Sequence, residues 1–181
     1  IVLDACRFDV IDQRINDIPG ELNHRWLRGG VTGNFLSNQF VDESYLDTVY
    51  LAANPHASRF LSDEFHEIRE IWTTHWNEEL STVMPDQLID ALSDARSDFP
   101  NKRLIAHFVQ PHQPYVSDWA LKNLELPYGL EGAKRLATDE FADPSEIDRN
   151  EMTTYLHLYS EGQISHDTIW RAYQKNVDLV L

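Results

Sequence analysis

The chain is predicted to fold as a single α/β domain built on a parallel sheet. Two β-rich runs, 48–53 and 103–110, each stop at or just before a proline, and an amphipathic helical segment lies between them. A third β-rich run opens the chain. Strand, helix and strand in that order argue for parallel pairing through right-handed crossovers. At 181 residues, 42% of them hydrophobic and including five Trp, seven Tyr and eight Phe, one domain with a real core is the expectation.

The elements follow in order. Ile1, Val2 and Leu3 form a strand that delivers Asp4 where a buried strand should end. A glycine turn then leads into a helix over 34–40. Thr48-Val-Tyr-Leu-Ala-Ala is the second strand and ends at Asn54-Pro55. Residues 67–73 alternate polar and apolar, as a short edge strand does. Pro85 opens a helix that carries Leu88, Ile89, Leu92 and Ala95 at helical spacing, and Pro100 closes it. Arg103-Leu-Ile-Ala-His-Phe-Val-Gln is the clearest strand, stopped by Pro111. The stretch 116–163 carries no strand signal and reads as a helical insertion. Ser165 caps a final helix whose apolar stripe is Ile169, Trp170, Tyr173, Val177 and Val180. The chain opens inside a strand without Met and closes on an uncapped helix, so it reads as trimmed at both ends.

Thirty acidic residues against fifteen basic ones, only four of them Lys, give a net charge of −15. Such a surface repels nucleic acid, which needs clustered Lys and Arg. It fits an ordinary acidic protein, or one adapted to high salt, where self-repulsion among carboxylates is screened. The preference for Arg over Lys favours the second. No apolar run approaches the roughly 20 residues of a spanning helix and no signal peptide is visible, so no membrane span and a cytoplasmic location are expected. The single Cys6 excludes an internal disulfide and a Cys-based zinc site.

Three places could carry chemistry. Asp4 ends its strand beside Arg7 and Asp9, so it reads either as a metal or catalytic carboxylate or as a turn residue. His112 lies in Gln110-Pro-His-Gln-Pro-Tyr115, just beyond the strongest strand and at the same sheet edge. The two prolines stiffen its loop. It could ligate a metal, bind an anion or protonate a leaving group, or simply pack on Tyr115. In Arg28-Gly-Gly-Val-Thr-Gly-Asn34, the glycines bracket Thr32 and permit close backbone approach to a ligand. The Thr32 hydroxyl could act as a nucleophile, or the segment is an ordinary turn before a helix. Asn54-Pro55-His56 could face the same site as a polar positioning group. His24, His66, His75, His107, His157 and His166 lack ligand spacing and read as structural or surface residues. Cys6 beside Arg7 could have a lowered pKa, but no His partner is identifiable.

Together these pieces resemble the alkaline phosphatase and sulfatase superfamily, in particular a small sulfatase-like branch common in salt-loving archaea. The matching segments are Val2-Leu-Asp-Ala-Cys-Arg-Phe-Asp9, Arg28-Gly-Gly-Val-Thr32, Thr48-Val-Tyr-Leu-Ala-Ala-Asn-Pro55, His107-Phe-Val-Gln-Pro-His-Gln-Pro-Tyr115 and Trp170-Arg-Ala-Tyr-Gln-Lys-Asn-Val177. The resemblance implies a central, mostly parallel sheet flanked by helices, incomplete here at its C-terminus. It implies a divalent-metal site (Ca, Zn or Mn) and hydrolysis of a sulfate or phosphate ester of a small molecule, glycan or lipid. Carried over, Asp4 is the first metal ligand, Thr32 takes the nucleophile's place and His112 contacts the ester oxygens or the leaving group. The sequence departs from the family at two points. The Cys-x-Pro-x-Arg motif of true sulfatases is absent, so a Thr nucleophile suits phosphoryl transfer at least as well. The Asp-His-Gly segment that completes the metal site is also absent. The alternatives are a phosphodiesterase or phosphoglycerol-type transferase using Thr32, or a non-catalytic binding protein or gene remnant.

Overall fold

The computed structural model describes residues 1–26, 29–125, 134–135 and 154–181. Four strands, β1 (Val2–Asp4), β2 (Tyr45–Ala52), β3 (Phe65–Glu70) and β4 (Arg103–Pro111), form one sheet in the order β1-β4-β2-β3. Every pairing is parallel. The fold class expected from the sequence, α/β with a parallel sheet flanked by helices, is the one observed.

Period-2 alternation splits β2 between two cores. Val49 and Leu51, with Ala53 just beyond the strand, face a cluster with Ala106 and Phe108 of β4. On that side lie α4 (Ile71–Thr74) and α5 (Pro85–Asp98), which add Ile71, Trp72, Leu88 and Ala95. Tyr50 and Ala52 face the opposite cluster, built with Leu36 and Phe40 of α2 (Thr32–Phe40), Ala57 of α3 (Ala57–Phe60) and Phe65 of β3. Phe40 meets Phe35, Tyr45, Tyr50 and Phe65 with ring centroids 5.3–5.9 Å apart. A third, smaller cluster joins Val10 of α1 (Phe8–Asp12) to Tyr173 and Val177 of the last helix, His166–Val180.

Two boundaries differ from expectation. The third strand lies at the sheet edge as expected, but it ends at Glu70 and the chain turns into α4. Ile71 and Trp72 bury their side chains from that helical turn instead of continuing the alternation. The helix expected over 34–40 begins at Thr32. Within 116–163, α6 (Asp118–Asn123) and α7 (Tyr155–Ser160) are short helices; most of the remaining stretch lies outside the described residues. The final helix, α8 (His166–Val180), is capped by Ser165, whose hydroxyl accepts from the Thr168 amide at 3.1 Å. Among the described residues no helix is long and apolar enough to cross a membrane.

Candidate functional site

Strands β1, β4 and β2 are neighbours, so their carboxyl ends lie side by side. These are the ends that carry Asp4, His112 and Asn54. A parallel sheet places loop-borne polar groups together in this way without any one strand encoding the site. A cleft of about 880 Å³ opens there, lined among others by Asp4, Thr32, Asn54, His56, His107 and His112. The three residues singled out in the sequence, Asp4, Thr32 and His112, therefore share one cavity.

At its floor the Thr32 hydroxyl donates to the Asp4 carboxylate, 3.0 Å from Oδ2 and 3.2 Å from Oδ1. Asn54 Nδ2 donates to the same Oδ2 at 2.5 Å, while Asn54 Oδ1 accepts the His56 amide at 2.9 Å. Asn54 is 1% exposed. The Asn54-Pro55-His56 segment thus supplies a partner of Asp4.

Thr32 is the first residue of α2, and the N-cap, Val31, has no side-chain acceptor. The first intrahelical bond runs from the Phe35 amide to the Val31 carbonyl. That leaves the amides of Thr32, Gly33 and Asn34 at the positive end of the helix without a helical acceptor. Two glycines shape this end. Gly29 has φ +135°, and a Cβ there would come 2.9 Å from the backbone of Asn34 and Phe35. A Cβ on Gly33 would come 2.5 Å from Phe60 Cζ, so the Phe60 ring fastens α3 onto α2.

His112 Nδ1 lies 2.6 Å from the Gln113 carbonyl oxygen. A carbonyl only accepts, so Nδ1 carries the hydrogen and Nε2 is the nitrogen left for chemistry. Tyr115 stacks on Tyr155, 4.7 Å between centroids at 8°. His107, read from sequence as structural or surface, is 1% exposed and lines the cleft. Its Nδ1 lies 2.7 Å from the Tyr50 hydroxyl. Burial pushes its pKa down to about 4, against the pull of Asp4, so it is neutral near pH 7. The sequence signal was a polar residue in an otherwise apolar strand. His24, His66, His75, His157 and His166 are exposed and line no part of this cleft.

Helix α8 holds the two loops that carry Asp4 and His112. Ala5 follows Asp4 with φ +56°, a left-handed conformation that a non-glycine residue adopts only when held there. The Tyr173 hydroxyl donates to the Ala5 carbonyl at 3.0 Å and accepts the Arg7 amide at 2.8 Å. Asn176 Oδ1 accepts the Val116 amide at 2.8 Å, and its Nδ2 donates to the carbonyls of His112 and Pro114, each at 3.3 Å. Neither residue was recognised as part of the site from sequence, where both were simply positions in an amphipathic helix.

Arg7 and Asp9 pair with each other at 2.7 Å on the surface and leave Asp4 alone. Burial pushes the Cys6 thiol pKa up, against Arg14, so the lowered value considered from sequence is reversed. The oxygens of Asp4, Thr32 and Asn54 are donors of the kind a hard divalent cation takes. Among the described residues no group of three His, Cys, Asp or Glu side chains is placed to hold an ion. They fit part of such a ligand shell, not the whole of one. No protein-family model, no curated protein and no solved structure matches this chain.

Proposed function

We propose that the cleft binds a sulfate or phosphate ester and hydrolyses it, with Thr32 as the nucleophile, as the resemblance to the alkaline phosphatase and sulfatase superfamily implies. The observation that carries this reading is the Thr32 hydroxyl on the Asp4 carboxylate at the open N-terminus of α2. A nucleophile within hydrogen-bond reach of a base, beside unpaired amides that favour negative charge, is the arrangement such a transfer requires. Thr32 Oγ1 attacks phosphorus or sulfur as its proton passes to Asp4, and the bond to the leaving oxygen breaks. In its doubly protonated form His112 donates the Nε2 proton to that oxygen as it leaves, keeping Nδ1–H on the Gln113 carbonyl. Water then attacks the Thr32 ester and returns a proton to Nε2, and the Thr32 oxygen takes back the proton held by Asp4 as its bond to phosphorus or sulfur breaks. Asn54 holds the Asp4 carboxylate in place throughout. Asp4 and the neighbouring oxygen donors would contribute ligands to a divalent cation (Ca, Zn or Mn), which when bound offsets charge on the ester oxygens.

The test is turnover of 4-nitrophenyl phosphate and 4-nitrophenyl sulfate by the natural protein that contains this chain, with each cation, at low and molar salt. Thr32→Ala should lower the rate by about a thousandfold or more, with Thr32→Ser retaining part of it. Wild-type rates in Thr32→Ala, or no turnover of either ester under any condition, would overturn the assignment. A higher phosphate than sulfate rate would place the activity with phosphoryl transfer.

A further inference from the structure

The cleft holds more than the reacting group needs. Its volume of about 880 Å³ is in the range of sites that bury a drug-sized ligand, so a sizeable leaving group has room beside a tetrahedral ester. The polar lining is graded in exposure. Asn54 and His107 are each 1% exposed, Asp4, Thr32, His56 and His112 are half-buried, and Arg59 is exposed at the rim. Arg59 sits on α3 between Ala57, which is fully buried, and Phe60, whose ring lies on Gly33. The guanidinium is therefore borne by a short helix anchored at both ends.

In a chain of net charge −15, Arg59 is a cation that lines this cleft without an ion pair to a carboxylate. Arg7, Arg14, Arg69 and Arg103 each pair with an Asp or Glu at 2.6–2.9 Å. Among the described residues the Arg59 guanidinium has no ion-pair or hydrogen-bond partner; its backbone amide donates to the His56 carbonyl at 3.2 Å. His56 stands near it on the same wall, and its buried Nδ1 has none either. A guanidinium at the rim of the cleft that holds Asp4 and Thr32 is free to meet a second negative charge carried on a bound ester.

Resting on the hydrolase reading above, we propose that Arg59 is a specificity-determining residue that binds an anionic substituent on the leaving group, such as a carboxylate or a second phosphate or sulfate. The preferred substrates are then esters with a second negative charge, and neutral alkyl or aryl esters are poorer ones.

The experiment compares kcat/KM for 4-carboxyphenyl phosphate with that for phenyl phosphate in the wild-type protein, Arg59→Ala and Arg59→Lys. The wild-type ratio should favour the carboxylated ester about fivefold, as expected of an exposed charge pair. It should fall to about one in Arg59→Ala, survive in part in Arg59→Lys, and fade in molar salt. An equal ratio in wild type and Arg59→Ala, with both esters turned over, would overturn the Arg59 subsite and leave the hydrolase reading standing. If neither ester is turned over, the hydrolase reading falls, and calorimetric Kd values for the two esters decide the subsite. A loss in Arg59→Ala of about fivefold confined to the carboxylated ester retains it; equal values, or no binding, overturn it.

Discussion

Two long helices pack on this sheet, and they bury different kinds of residue. Helix α5 buries Pro85, Leu88 and Ala95, all apolar, against the ladders of β2 and β4. Helix α8 buries Ala172, Tyr173, Asn176 and Val177, and two of these four are polar. The difference follows from what lies beneath each helix. In the middle of a sheet the backbone groups are already paired, and a helix has only apolar surface to cover. Beyond the strand ends the chain leaves the ladder, and its carbonyls and amides need partners. Tyr173 and Asn176 meet that need in the loops that follow Asp4 and precede Val116. Buried polar residues on a helix here mark the loops that present the site.

The contrast breaks most sharply at Asn176. Asn176→Ala takes a partner from the buried Val116 amide, the buried Pro114 carbonyl and the half-buried His112 carbonyl, which should cost about 3 kcal/mol in denaturant unfolding. It should also lower ester turnover per folded molecule, because the His112 loop loses its tether. Leu88→Ala on α5 should cost about 3 kcal/mol through a cavity, with kcat and KM of the folded fraction unchanged. If Asn176→Ala lost stability alone, α8 would be no different in kind from α5.

The same division runs along β4, where Ala106 and Phe108 face the α5 side and His107 faces Tyr50. The folded pKa of His107 is about 4, below the ordinary histidine value of 6.5. The unfolded chain therefore binds the extra proton first as pH falls. The contribution is fully present above about pH 6.5 and is lost progressively down to about pH 4, on the order of 3 kcal/mol in all. Urea midpoints measured between pH 7 and 4.5 should fall in the wild type and fall less in His107→Gln. Parallel curves would remove His107 as the cause.

Much of the cleft was legible because three of its residues stand where an apolar run stops, whereas His107 lies inside such a run and was read as structural or surface. Asp4 follows Ile1-Val-Leu, Asn54 follows the 48–53 run, and His112 follows the 103–110 run. Parallel pairing then brings those stops together. Thr32 was legible from its glycines, although not as the first residue of α2, because Val31 is a poor cap and sequence preference looks for a polar one. Arg59 was not legible, since an arginine in a polar stretch looks like any surface charge until the cleft is built around it. Asn176 carried a signal that can be read in general. It falls on the buried stripe between Tyr173 and Val180, where a polar residue has to be bonded to something.

The smallest of the expected effects is also the most selective. Tyr173→Phe keeps the ring, its stacking on Trp170 at 5.5 Å and its place beside Val10. It removes only the hydroxyl that bridges the Ala5 carbonyl and the Arg7 amide. Both groups are near solvent, so the stability loss should be about 1 kcal/mol. The activity loss should exceed what that figure converts to, because the left-handed turn at Ala5 sets the direction of Asp4 and a shift there moves its carboxylate from the Thr32 hydroxyl. Parallel measurement of the urea midpoint and of kcat at saturating ester separates the two effects. A fall in kcat no larger than the loss of folded protein would mean that Tyr173 packs as Leu88 does, and that the turn at Ala5 holds its shape without it.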